Sequence, residues 1–460
     1  MSTFKHVGFL CVAFGGALAA PHALAQVPDR VTCADFFLAI DNPATLPCRG
    51  NLAAIPFDLL APGARSLGLG GAFAAVADDA TAAEANPAGQ TILTRPEVSV
   101  HVRHADYNVR FFDPNALDAN LYNAVGPGPI GRYRDSNTKI SFLSFVYPME
   151  RFVFSLYYQN SGQLQSRSNI VSFDPVFSDT YIASTSIDVE QEAFGISGAF
   201  RINNMFSIGA SIKESRLNLF SRTSSSVFGF RDLDIEFPGA GPYQDEITLG
   251  SATFGDDHDL TWNAGLLINP NGTFSAGLVY KNGGTYKVTN RLSAFSVSNC
   301  ANAECSFNLD GSVDRRQSIS LPDVLSAGVA WRPSDTWLLA LQVDQIDYGN
   351  LPDGTATGFL FGEFQGEVAD VEKLGKEIVV HVGVEKTFLF DSPVLGLKLL
   401  SLRAGAFTDP DHDGYRALRT RDRHYTFGLG TVFGERMQID LGTEWSDRVD
   451  AVVMSGVYHF

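Results

Sequence analysis

The chain has 460 residues, of which 18% are charged, with a formal net charge of −17 and a mean hydropathy near zero. The acidic balance argues against a nucleic-acid partner, because phosphate binding wants a basic surface. Hydropathy near zero suits a soluble secreted protein and a membrane barrel equally, so the arrangement of the apolar residues has to decide.

The first segment predicts a secretory signal: Lys5 and His6 start it, Val7 to Ala20 are mostly apolar, and Ala23-Leu24-Ala25 gives the small-x-small cleavage pattern. Residues 1–25 are therefore expected to be removed, leaving Gln26 first, and no later run is long enough to span a bilayer as a helix. Beyond Cys11, four cysteines remain in two local pairs, Cys33 with Cys48 and Cys300 with Cys305. Both pairs are expected to be disulfides in an oxidising compartment, and neither has zinc-site spacing.

Residues 26–95 do not alternate and are rich in Gly, Ala and Pro. Their glycine run lacks the Gly-Lys-Ser/Thr of a phosphate loop. A short helix is predicted around 78–85, stopped before Pro87. Leu67, Leu69, Phe73 and Val76 are more apolar than a solvated tail requires. A compact plug inside a barrel, with Asn86-Pro87-Ala88 in the lumen, accounts for them better than a tail does.

From residue 96 onward period-two alternation recurs. In Met437–Trp445 one face is Met437, Ile439, Leu441, Thr443 and Trp445; the other is Gln438, Asp440, Gly442 and Glu444. Ile378, Val380, Val382 and Val384 stand opposite His381, Gly383 and Glu385. Successive strand residues point to opposite faces, so one face meets oil and the other water. Fourteen strands are predicted, at 96–105, 136–147, 151–164, 184–201, 205–221, 258–268, 273–291, 317–332, 336–349, 376–390, 397–408, 422–433, 436–446 and 450–460. Tight turns, such as Pro148-Met149-Glu150 and Pro333-Ser334-Asp335, alternate with long excursions near 106–135, 222–257 and 292–316; the short hairpin Ser446–Val449 breaks the rhythm. Short periplasmic turns, long extracellular loops and an even strand count define an all-β transmembrane barrel, because an open sheet edge cannot face hydrocarbon. The expected place is the outer membrane of a Gram-negative-type bacterium. The expected domains are 1–25, 26–95 and a barrel over 96–460, as a monomer.

Strand parity turns Arg103, Lys213, Lys281 and Arg403 toward the lumen. They are candidate substrate-binding residues; the favoured alternative pairs them with luminal Asp344, Glu385, Asp440 and Glu444. Asp409, Asp411 and Asp413, with Gly414, copy the first half of a calcium loop, but position 12 is Thr420, so an acidic turn is the favoured reading. No catalytic frame is found, and neither enzyme activity nor a cofactor is expected. The C-terminal Phe460 resembles the signal read by the barrel assembly machinery.

The stretch Gly63-Ala64-Arg65-Ser66-Leu67-Gly68-Leu69-Gly70-Gly71-Ala72-Phe73, with Ala77-Asp78-Asp79-Ala80 and Asn86-Pro87-Ala88-Gly89, resembles the N-terminal hatch of FadL/TodX outer-membrane transporters. Asn86-Pro87-Ala88 corresponds to that family's Asn-Pro-Ala motif. Leu321–Trp337 and Asp422–Gly430 resemble two further family stretches. The resemblance runs from about residue 60 to the C-terminus. It implies a fourteen-stranded barrel plugged by a hatch, with Gly63, Arg65, Gly68, Gly70, Gly71, Phe73, Asp78, Asp79, Asn86, Pro87 and Ala88 as hatch residues. It also implies passive transport of hydrophobic small molecules, such as long-chain fatty acids or hydrocarbons, released sideways into membrane lipid. A barrel of the same architecture serving as a structural or secretion partner is the alternative.

Overall fold

Alternating sequences satisfy their backbone only by pairing with neighbours, and here the pairing closes on itself. In the computed structural model, residues 59–112, 130–174, 179–232, 242–270, 272–300, 308–348, 375–390, 396–409 and 421–460 are described. The predicted signal, the extension up to residue 58, Cys33, Cys48, Cys305, Asp411 and Asp413 lie outside the described residues, as does the side chain of Cys300. Sixteen strand segments are present among the described residues. They are β1 Glu97–Phe112, β2 Ile130–Met149, β3 Phe152–Asp174, β4 Asp179–Arg201, β5 Phe206–Asp232, β6 Pro242–Ile268, β7 Phe274–Lys281 and β8 Thr285–Cys300. There follow β9 Asn308–Ser320, β10 Asp323–Ser334, β11 Trp337–Asp347, β12 Lys376–Leu389, β13 Leu397–Asp409, β14 Asp422–Phe433, β15 Met437–Trp445 and β16 Val449–His459.

Every pairing is antiparallel, and β1 zips to β16 from Glu97↔His459 to Tyr107↔Val449, so the ring is closed. β7 and β8 continue one stave, as do β9 and β10, since the register of β7 on β10 carries on as that of β8 on β9. The barrel therefore has fourteen staves, the number the sequence predicts.

Two staves differ from their predicted form. The strand expected at 273–291 breaks at Asn282–Gly284, and that expected at 317–332 breaks at Leu321–Pro322. Pro322 has no N–H to donate, and Gly284 sits at φ +84°, a left-handed conformation that suits glycine. Carboxylates take over from the ladder there. Asp259 Oδ2 accepts from Thr285 N at 2.7 Å, Asp257 Oδ2 from Lys287 N at 2.7 Å, and Asp323 Oδ1 from Gly283 N at 2.9 Å.

Where they are described, the excursions expected at 106–135, 222–257 and 292–316 are also strand: β5 and β6 stay paired from Phe206↔Ile268 to Asp232↔Pro242. Runs such as Ser221-Arg-Thr-Ser-Ser-Ser226 lack an apolar face, so an apolar-alternation reading passes over them.

The apolar parity faces outward. Leu260, Phe194 and Ile196 remain 67%, 64% and 62% exposed, as they would on a lipid-facing wall rather than a water-facing one. Aromatic pairs mark both borders of this belt. Phe152–Phe200, Phe274–Trp331 and Tyr458–Phe460 stand at the short-turn end; Tyr158–Phe194, Trp262–Tyr280 and Phe427–Trp445 stand at the other.

Candidate functional site: the lumen and the segment within it

Residues 59–95 run across the lumen as two short helices, α1 Ala64–Gly68 and α2 Ala82–Ala85, and a 3-10 turn at Pro87–Ile92. The helix expected at 78–85 starts only at Ala82. Asp79 Oδ1 accepts from Thr81 N at 2.9 Å and from Thr81 Oγ1 at 2.5 Å, and this local turn competes with helix before that point. The helix stops before Pro87 as expected, ending at Ala85 with Asn86 extended, and Pro87 opens a separate 3-10 turn.

The segment fits because the wall is thinned where it rests. Four cross-strand glycine pairs face it: Gly209–Gly265, Gly277–Gly328, Gly383–Gly405 and Gly428–Gly442. A Cβ on Gly265 would strike the Asn86 side chain, one on Gly277 the Ala74 carbonyl, and one on Gly383 the Leu69 carbonyl. Backbone polar groups of the segment find partners on the wall. Gln342 Oε1 accepts from Phe73 N (2.9 Å) and Ala74 N (2.7 Å), Ser455 Oγ accepts from Ala64 N (2.9 Å), and His381 Nδ1 lies 2.8 Å from Gly70 O. Asn86 accepts from Ala88 N (3.2 Å) and donates to Ala74 O (2.7 Å), so one side chain holds the turn and ties it back to the chain near Phe73.

The charges singled out by parity are all in ion pairs. Arg403 bridges Glu385 (2.5 Å) and Asp440 (2.6 Å), while Arg103 lies 3.6 Å from Glu444. Arg65 spans Asp78 and Glu385, tying α1 to β12. Lys213 and Lys281 turn to Glu84 of α2, at 3.6 and 2.9 Å, rather than to a wall carboxylate. Burial alone would raise the Glu84 carboxyl, but Lys281 and Lys213 outweigh it and hold it below the usual carboxylate range. Glu84 was missed by parity because it is not on a strand. Its one signal is a lone charge in the small-residue run Ala80-Thr-Ala-Ala-Glu-Ala85.

Asp79 is pushed the other way. Desolvation raises it to about 6, against the pull of Arg65. A raised carboxyl means that the docked segment binds more protons than a released one between the ordinary value of 3.8 and about 6. Docking is therefore favoured at low pH and weakens as pH rises through that window. Protease resistance of residues 59–95 is expected to fall between about pH 4 and pH 6, and Asp79→Asn, which keeps the oxygen facing Thr81, to abolish the change. A variant with the same pH profile as wild type would assign the effect elsewhere.

Toward the long-loop end the lumen is apolar. Tyr107, Leu217, Leu219, Tyr286, Ile319, Ile346, Tyr348 and Phe407 form one buried cluster, with Leu59 and Leu60 packed on it. Phe407 stacks between His381 and His424, at 5.3 and 4.2 Å. Among the described residues, the wall is interrupted at the crimp between β6 and β7–β8 described above and, over a longer stretch, between β2 and β3. β2 and β3 pair only from Met149↔Phe152 up to Phe142↔Gln159, after which β2 keeps β1 and β3 keeps β4. Side chains lace the parting: Lys139 Nζ donates to Asn160 Oδ1 at 2.8 Å, and Asp135 Oδ2 accepts from Gln165 N at 2.9 Å. Behind it lies a cavity of about 20 Å³, lined by Leu60, Pro62, Leu67, Arg103, Ser141, Gln159, Asn160, Ser161 and Val453 among others. That is room for about one water.

Among solved structures, the chain is similar to a Pseudomonas aeruginosa FadL homologue (15% identity, TM-score 0.53), to the P. putida toluene transporter TodX (15%, 0.54) and to the CymD monoaromatic hydrocarbon channel (13%, 0.51). In each case 88% of this chain and 99% of the other are covered. At such identities the likeness speaks for the barrel fold alone. No curated protein matches the chain. The family described as outer membrane protein transport protein (OMPP1/FadL/TodX) matches residues 61–360, well over half the chain. A closed barrel with an oily exterior, a lumen crossed by its own N-terminal segment, and this match together place the chain in the FadL/TodX family of outer-membrane transport proteins.

Proposed function

We propose that this chain carries uncharged hydrophobic molecules across the outer membrane by diffusion, with residues 59–95 as its hatch. Cargo enters at the long-loop end, lodges in the apolar chamber, and leaves sideways through the β2–β3 parting into lipid; the short turns face the periplasm. The observation that carries the substrate class is the pairing of luminal charge. Arg103, Lys213, Lys281 and Arg403 each already face a carboxylate, so a cargo carboxylate would have to displace one. The Tyr107, Tyr286, Tyr348 and Phe407 rings offer apolar and edge contacts to a neutral aromatic or aliphatic molecule instead. The parting supports a sideways exit because its edges are held by side chains, which rotate, rather than by a ladder, which does not.

Cells expressing the chain should take up radiolabelled toluene faster than matched cells without it, while oleate uptake stays at background. Saturable oleate uptake that Arg103→Met abolishes would overturn the neutral-cargo reading.

A further inference from the structure

The lipid-facing wall is not level. Along β13 the outward side chains beyond Leu402 are Ala404 and Ala406, two methyl groups in line. Their cross-strand neighbours are large: Val384 and Phe427 beside Ala404, Val382 and Tyr425 beside Ala406. At Ala404 and toward the short turns, an apolar groove of about 510 Å³ lies on the outside of the barrel, lined by Trp337, Val384, Leu402, Ala404, Phe427 and Leu441 among others. Four staves, β14, β15, β16 and β1, separate β13 from β2, so this groove is not part of the sideways exit.

At the foot of the groove, near the short-turn border, stands Lys386. Its ammonium lies 4.8 Å from the Trp337 ring centre and 5.8 Å from that of Phe388, and it donates to Thr336 Oγ1 at 2.9 Å. Among the described residues it faces no carboxylate, unlike Lys398 at the same border, which pairs with Glu435 at 3.2 Å. An ammonium carries three donors, so two remain. The aromatic rings hold it at the depth where a membrane changes from hydrocarbon to head groups.

We propose that this groove is a binding site for one phospholipid of the adjacent leaflet, its acyl chain along Leu402 and Ala404 and its phosphate on Lys386. The groove is continuous with the lipid-facing belt, so its occupant comes from the membrane. The cation without an acidic partner at its foot selects a phosphate over an uncharged head group. The site rests on the membrane orientation proposed above but takes no part in cargo passage.

Native mass spectrometry of the full chain in mild detergent tests it, with dipalmitoyl phosphatidylglycerol and dipalmitoylglycerol as probes. Wild type should retain one phosphatidylglycerol and bind the diacylglycerol about tenfold less well, as one lost charge-assisted contact implies. Ala404→Leu, which fills the groove, should lower binding of both probes. Lys386→Gln should bring the two probes to equal affinity. Both variants should keep folded-barrel mobility on unheated gels and wild-type toluene uptake, so a failure here is separable from a failure of the transport reading. Equal retention in wild type and Ala404→Leu would overturn the site. So would a dimer that Ala404→Leu dissolves, which would make the groove a subunit seam.

Discussion

Gly277→Val is expected to yield a barrel that assembles normally and leaks. Its new Cβ would enter the space of the Ala74 carbonyl, and backbone on both sides leaves nothing flexible to give way. Within the strand itself the change is favourable, because valine suits a pleated surface better than glycine does. The cost thus falls on the luminal segment, which must lift off its seat and lose the Gln342 contacts to Phe73 and Ala74. Overpacking by two or three carbon atoms costs about 1–3 kcal/mol. That is enough to raise the open fraction by about fivefold to somewhat over a hundredfold. Gly456→Val is the control: its Cβ would meet only Val100 Cγ1, at 3.8 Å, on the lipid-facing side. Single-channel conductance, together with trypsin digestion of residues 59–95, reads both variants. A quiet, protease-resistant Gly277→Val barrel would show that the glycine pairs are not what seats the hatch.

A second large effect is expected from Glu84→Gln. The substitution keeps size and hydrogen bonding but leaves Lys213 and Lys281 facing a neutral group in a site where Glu84 is 2% exposed. Removing one member of a buried ion cluster costs about 3–5 kcal/mol, because the remaining charge has no solvent to turn to. Amide exchange at residues 80–92 should therefore quicken by about a hundredfold or more. Adding Lys281→Gln should recover most of the loss, since it removes one stranded cation. If the double variant exchanges as fast as the single one, the triad is not what anchors α2. The sign with pH follows from the depressed Glu84 carboxyl. Its contribution is present at neutral pH and disappears as pH falls through the folded value, opposite to the effect of Asp79.

The sequence carried the barrel in detail where one face is apolar. In β12 and β15 every parity assignment of Ile378–Glu385 and Met437–Trp445 follows the alternation, because the membrane enforces it residue by residue. Above the membrane that enforcement ends, and the strands of Ser221–Asp232 are held by pairing alone, which single-chain patterning does not register. The crimp at Asn282–Gly284 was read through as strand, since its closure depends on Asp259 and Asp323, distant in sequence. The luminal site was half legible. Parity turned Arg403 and Glu385 inward but gave no sign that Arg65, 320 positions from Glu385, completes their cluster. The inward glycines looked like gaps in a pattern; only the segment lying on them gives their absent side chains a purpose.

The unequal lengths of the staves set how far the mouth stands from the bilayer. β5 and β6 each run 27 residues, whereas β15 has 9 and β16 has 11. An apolar band ~25 Å tall is crossed by a tilted strand in about ten residues. At ~3.4 Å per residue and a tilt near 40°, the remainder of β5 and β6 climbs roughly 40 Å beyond it. β15 and β16 end about where the hydrocarbon does. In the orientation proposed above, one flank of the barrel thus rises as a free-standing screen through the depth that lipopolysaccharide sugars occupy in such a membrane, while the flank at β15 and β16 stays low. A sugar layer repels oily solutes, and in that orientation a paired wall standing within it would hold that layer back from the opening on one side.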